Sequence, residues 1–239
     1  MAWSLLQHPY VAKSSAGTSG TVTLTPHATG NLLVALALTN ASSPSWSLPS
    51  GMAGASWATA VTHTASSVGQ ATGAWIAAAT TTSSTTLTLS WGQSVTADLI
   101  VAEYSGLTGA ATLDGTAQIQ DSGSSTTTVV LPTYTPGTTG SLVLNIVCTA
   151  TQTVDSFGAN AAYSGGPAWS AGDTYVNSSK MTQTGDGWGY VTGATSLITP
   201  DAVQHGSSVY ASIVFGVLAG GGGGGGASTP QLMMMGVGS

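Results

Sequence analysis

Apolar and polar positions alternate with a period of two along much of this chain. In Thr21-Val22-Thr23-Leu24-Thr25, Val22 and Leu24 fall on one face. In Thr86-Leu87-Thr88-Leu89-Ser90-Trp91, the face is Leu87, Leu89 and Trp91. Near the C-terminus Val209, Ala211, Ile213, Phe215 and Val217 repeat the pattern. Alternation of this kind predicts half-buried β-strands, and the Thr and Val that carry it favour pleated backbone. Residues 32–38 and 142–148 are instead near-continuously apolar. Such runs predict central strands covered on both sides. Helical periodicity is scarce, and Gly, Pro, Ser and Asn clusters punctuate the strands as they do in sandwiches and barrels.

The pattern repeats. Thr25-Pro26-His27-Ala28-Thr29-Gly30-Asn31-Leu32 returns 110 residues later as Thr135-Pro136-Gly137-Thr138-Thr139-Gly140-Ser141-Leu142. Trp57 and Trp169 keep nearly that offset, as do Trp75 and Trp188. The expectation is an all-β, two-sheet antiparallel sandwich, jelly-roll-like, with pseudo-repeated halves. Residues 1–219 form it as one domain, because the stretch between the halves is short and carries its own apolar residues, Leu113, Ala117 and Ile119. Residues 220–226 are an unbroken run of glycines, read as a tether. Residues 227–239 follow as a C-terminal docking peptide. Its apolar patch is Leu232, Met233, Met234 and Met235, and Met adapts to irregular grooves. A groove on a neighbouring chain is its expected acceptor.

Composition narrows the function. Only 4% of the 239 residues are charged, with no Arg and two Lys, Lys13 and Lys180, against roughly a quarter in an average soluble domain. Hydroxyls and backbone must wet the surface. Two lysines cannot form the basic stripe that nucleic acid or an anionic membrane surface requires. The longest apolar runs are about seven residues, far short of the roughly 20 that span a bilayer as a helix. No basic n-region or signal-peptide core opens the chain. The lone Cys148 excludes an internal disulfide, and its apolar context predicts a buried thiol.

Motifs for catalysis are missing. There is no phosphate loop, no H-E-x-x-H, no C-x-x-C and no G-x-S-x-G. His8, His27, His63 and His205 are dispersed, so the expectation is surface or capping roles and no metal. Asp98 and Glu103 are the closest acidic pair, but an odd separation on one strand puts them on opposite faces, unlike a glycosidase dyad. Glu103 is expected at a strand end, exposed or hydrogen-bonded in a turn. No cofactor is expected. Trp75 and Trp91 lie in strand-like runs and should anchor the core. Trp46, Trp169 and Trp188 lie among Ser, Pro and Gly, in loop-like contexts, and are the candidates for stacking on carbohydrate.

Gly30-Asn31-Leu32-Leu33-Val34, a loop Trp, a strand Trp, Ala102-Glu103-Tyr104-Ser105-Gly106-Leu107 and Gly140-Ser141-Leu142-Val143 together set a pattern. It resembles the β-sandwich of minor tail and other surface proteins of bacteriophages that infect actinobacteria, over residues 20–218. The resemblance is one of strand starts and transfers no functional site. It implies a non-enzymatic virion protein, tail-associated and structural or host-contacting. Such a protein folds in the host cytoplasm and works in the virion. Its partners would be other virion proteins, copies of itself and a host cell-surface glycan. A capsid decoration protein and an extracellular adhesin that binds carbohydrate through its loop Trp are the alternatives. A polysaccharide hydrolase is a third class, disfavoured by the shortage of acids.

Overall fold

The structure, a computed structural model, describes residues 3–65, 69–122, 124–149, 154–157, 170–174, 185–194 and 201–218. Among these the chain forms strands and no helix. The first half contributes β1 (Ser4–Gln7), β2 (Tyr10–Leu24), β3 (Leu32–Thr39), β4 (Ala58–Ala65), β5 (Gln70–Ala78) and β6 (Thr85–Ser105). The second contributes β7 (Gln118–Asp121), β8 (Thr126–Val130), β9 (Ser141–Thr149), β10 (Val154–Phe157), β11 (Ser170–Thr174), β12 (Gly185–Ala194), β13 (Asp201–Ser208) and β14 (Tyr210–Val217).

Every pairing is antiparallel. The hydrogen bonds define three sheets, where the sequence suggested two. One has the order β1-β6-β3-β5-β4, with β2 also paired to β6; one has the order β7-β14-β9-β12-β11; the third is β8-β13-β10. The difference arises at one place. β6 runs unbroken for 21 residues, so the part that pairs with β2 stays in the first sheet. β13 and β14 are separated at Val209, so the strands paired to β13 form a sheet of their own.

The two larger sheets are ordered alike around a central strand. β3 lies between β6 and β5, and β9 between β14 and β12. Leu32 opposes Tyr104 in one and Leu142 opposes Val217 in the other. Each central strand is entered through a glycine with positive φ, 84° at Gly30 and 94° at Gly140. This backbone region is open to glycine with little strain, which explains the Thr-Gly of both strand starts.

Period-two alternation then sorts the side chains of β3 into two cores. Leu32, Val34, Leu36 and Leu38 join Ile100 and Tyr104 of β6 against Leu142, Leu144, Ile146, Ile213 and Phe215 of the five-stranded sheet. Leu33, Ala35 and Ala37 point the other way, with Trp75, Leu99 and Val101, and are covered by Val22, Leu24, Leu87, Leu89, Met52 and Trp57. The end of β2 and the start of β6 therefore lie over the outer face of their own sheet, with Thr21, Thr23 and Thr86 left exposed. Burial of side chains of this size is worth about 1.5–3 kcal/mol each. Trp75 and Trp91 are fully buried anchors, and the Cys148 side chain is buried.

β14 differs from its expected form. It begins at Tyr210, not Val209, and all its residues are buried rather than one face only. The cause is its position between β9 and β7 in one sheet, with the other sheet across its face.

Candidate functional site

The densest described cluster of polar side chains gathers on Glu103, on the outer-facing register of β6. This carboxylate lies near the end of β6, where the sequence placed it, and it is hydrogen-bonded, but it is fully buried rather than exposed. The reason is its neighbours. Oε1 accepts hydrogen bonds from the backbone N–H of His27 at 2.8 Å and from Asn31 Nδ2 at 2.6 Å. Oε2 accepts from Gln7 Nε2 and from His27 Nδ1, the latter at 2.9 Å. An ionised carboxylate only accepts, so Nδ1 is the protonated ring nitrogen here.

Burial pushes the Glu103 carboxyl up, but the hydrogen bonds from Asn31, Gln7 and His27 outweigh it and hold it below its ordinary 4.5. Four donors fill about four lone-pair directions. No acceptor position remains on this group to take a proton from a substrate or to attack one. It works as a latch. It ties β1, through Gln7, and the loop that enters β3, through His27 and Asn31, to the end of β6.

A second carboxylate does the same task in the other half. Asp114 is buried, accepts the backbone N–H of Thr138 at 3.1 Å and the hydroxyl of Ser141, and thereby holds the loop that enters β9. Ser141 stands where the sequence repeat places Asn31. The latch has changed strands, however. Gly216 of β14 occupies the place of Glu103: it pairs with Val143 as Glu103 pairs with Leu33. A Cβ on Gly216 would meet the Tyr134 side chain. Tyr134 is buried there, and burial, with the Asp114 carboxylate beside it, pushes its hydroxyl up to about 12.

One further ionisable pair joins the two large sheets. His63 Nε2 of β4 meets Asp121 Oδ1 of β7. This pair and the Glu103–His27 contact join residues that are far apart in sequence, so spacing alone could not reveal them. The repeat of Asn31 as Ser141 was the one available signal for the latches. Asp98 and Glu103 lie on opposite faces of β6, since the even positions 100, 102 and 104 enter one core and the odd positions 99 and 101 the other. The two acids cannot converge on one bond. No group of three or more His, Cys, Asp or Glu suited to a metal occurs among the described residues.

The three candidate carbohydrate residues part company. Trp46 is half-buried in the loop before β4. Its ring stands edge-on to Trp75 at 5.3 Å between centroids, and its indole N–H is buried without a hydrogen-bond partner among the described residues. Trp188 lies in β12, opposite Ile146, and not in a loop. Its Gly neighbours misled the loop reading, because a strand paired on both sides by β9 and β11 tolerates them. Trp169 lies outside the described residues, as do Leu232, Met233, Met234, Met235 and the glycine run. No helix among the described residues is long and apolar enough to cross a membrane. No family model, curated protein or solved structure matches the chain.

Proposed function

We propose that this chain is a non-enzymatic structural protein of a bacteriophage virion, tail-associated, assembling with other virion proteins and with copies of itself through neutral contacts. In this reading residues 1–219 are a single jelly-roll-like sandwich of two related halves, and residues 227–239 are a docking peptide. The observation that carries it is the use made of the acids. Glu103 and Asp114, from different positions, each hold the loop that enters the central strand of its sheet, and the two sheets have the same strand order. The described polar clusters are thus consumed in building a scaffold, and the surface that remains is mostly hydroxyl and backbone. The likeness of the strand starts to those of phage surface proteins points the same way.

Assembly of such a surface cannot depend on ion pairs, which are weak and screened in any case. Apolar burial and hydroxyl–backbone hydrogen bonds must hold it. The expected result is an oligomer mass, read by analytical ultracentrifugation, that does not change between low salt and about 1 M NaCl, where the screening length falls to roughly 3 Å. Dissociation in moderate salt would contradict the neutral-contact reading.

A further inference from the structure

One flank of the molecule is only partly closed. β4 ends one large sheet and β7 ends the other, and the two strands meet through His63 and Asp121. Ile119 lies two residues before Asp121 on β7, so both point the same way from the strand. Its register partner Ile213 is fully buried in the core between the sheets, yet Ile119 is 53% exposed, the most of any large hydrophobic side chain among the described residues. Val61 of β4 packs against the same core and is also only partly buried. The flank therefore presents an isoleucine beside two strand edges that have no further partner among the described residues. The His63–Asp121 pair sits at the Asp121 end. The edge of β4 carries no Lys, Pro or carboxylate, the usual guards of an exposed strand.

The chain leaves the fold nearby. β14 pairs with β7 and ends at Val217, four residues beyond the Ile213 that opposes Ile119, on the side away from Asp121. Leu218 is still fixed there, its N–H bonded to the carbonyl of Thr112 at 3.0 Å. Four strand residues span about 13 Å. Fourteen residues, 218–231, separate Val217 from Leu232. A glycine-rich segment of that length has a root-mean-square reach of roughly 20 Å and an extended limit of about 45 Å. A tether works best when its reach is close to the span, and it then supplies an effective concentration of about millimolar without any new contact.

We propose that Leu232, Met233, Met234 and Met235 of the same chain dock on this flank, against Ile119 and the free edge of β7. The proposal rests on the reading of residues 227–239 as a docking peptide and names its acceptor, which is the chain's own flank and not the neighbouring chain expected from the sequence. Unbranched Met side chains suit an irregular seam between two strand edges. Docking there covers the exposed isoleucine and the strand-edge backbone, and so guards the edge against pairing with other chains.

Two measurements on the full-length chain test it. In the first, an Ile119→p-benzoylphenylalanine variant is irradiated at low concentration, with circular dichroism to verify that it is folded. The expected cross-link is to residues 232–235 within a monomer. A cross-link to those residues in a dimer band makes a second copy the occupant and overturns the proposal. In the second, chymotrypsin cleavage after Leu232 is timed by intact mass. An Ile119→Asp substitution should speed it by about tenfold, because cleavage follows the population of the open form. Equal, slow cleavage with and without the substitution means that the peptide docks elsewhere: the acceptor is then wrong and the docking reading stands. Cleavage of the unaltered chain as fast as that of a free peptide of the same sequence overturns the docking reading itself.

Discussion

Replacing Glu103 with alanine is expected to cost about 1.5–3 kcal/mol of folding stability, the range for a hydrogen bond to a charged group. The substitution removes the acceptor of Asn31 Nδ2 and of the His27 backbone N–H, while Gln7 Nε2 keeps its hydrogen bond to the Thr25 carbonyl. Unsatisfied buried donors cost about 1–3 kcal/mol each when nothing replaces the partner. Glutamine should restore part of the loss, because its carbonyl oxygen can still accept while its amide cannot. The pH dependence has a definite sign. The folded carboxyl is held below its ordinary 4.5, so its contribution is complete above that value and is lost as pH falls through the lowered one. Chemical denaturation at a series of pH values from neutral to strongly acid checks both points. The unaltered protein should weaken toward acid by more than Glu103→Gln does. Equal acid slopes would show that the latch is not ionised in the fold.

The second large effect concerns Trp75 and the glycine beside it. Trp75 is 1% exposed and packs edge-on with Trp46. Its truncation to alanine should cost about 3–5 kcal/mol, the usual range for a buried Trp. Gly73 lies two residues away on the same face of β5, and a Cβ there would lie 2.3 Å from a Trp75 ring carbon. Gly73→Ala should therefore cost about 1–3 kcal/mol by overpacking. The same change made in a Trp75→Leu background should cost well under half of that, since the clashing ring is gone. Such non-additivity is the signature of direct contact. Additive costs in the double variant would place the glycine's role elsewhere.

The strands and their core-facing residues were legible in the sequence where the pattern was local. Val22, Leu24, Leu87, Leu89 and Trp91 are buried on the faces that alternation assigns, and residues 32–38 form a strand covered on both sides. The shared start of β3 and β9 was visible because a positive-φ glycine and a following polar residue are both written into a short motif. The latches were not legible. Glu103 depends on residues 72 and 76 positions away, and no local rule gathers Gln7, His27 and Asn31 around it. Its burial was missed for the same reason: a glutamate at a strand end before Tyr-Ser-Gly reads as exposed or turn-bound until its donors are known. Trp188 was misplaced because glycines flank it on both sides, and composition speaks for a loop where pairing makes a strand. The division into three sheets turns on a single interruption at Val209, which nothing in its residue type announces.

The most direct test of the account is the composition of purified virus particles from the source of this chain. Quantitative mass spectrometry should find the chain as a fixed-stoichiometry component that co-purifies with the particles and stays with them through a wash in about 1 M NaCl, as contacts without ion pairs require. Absence from washed particles, or recovery of the chain free in the medium with a hydrolytic activity on cell-surface glycan, would contradict it.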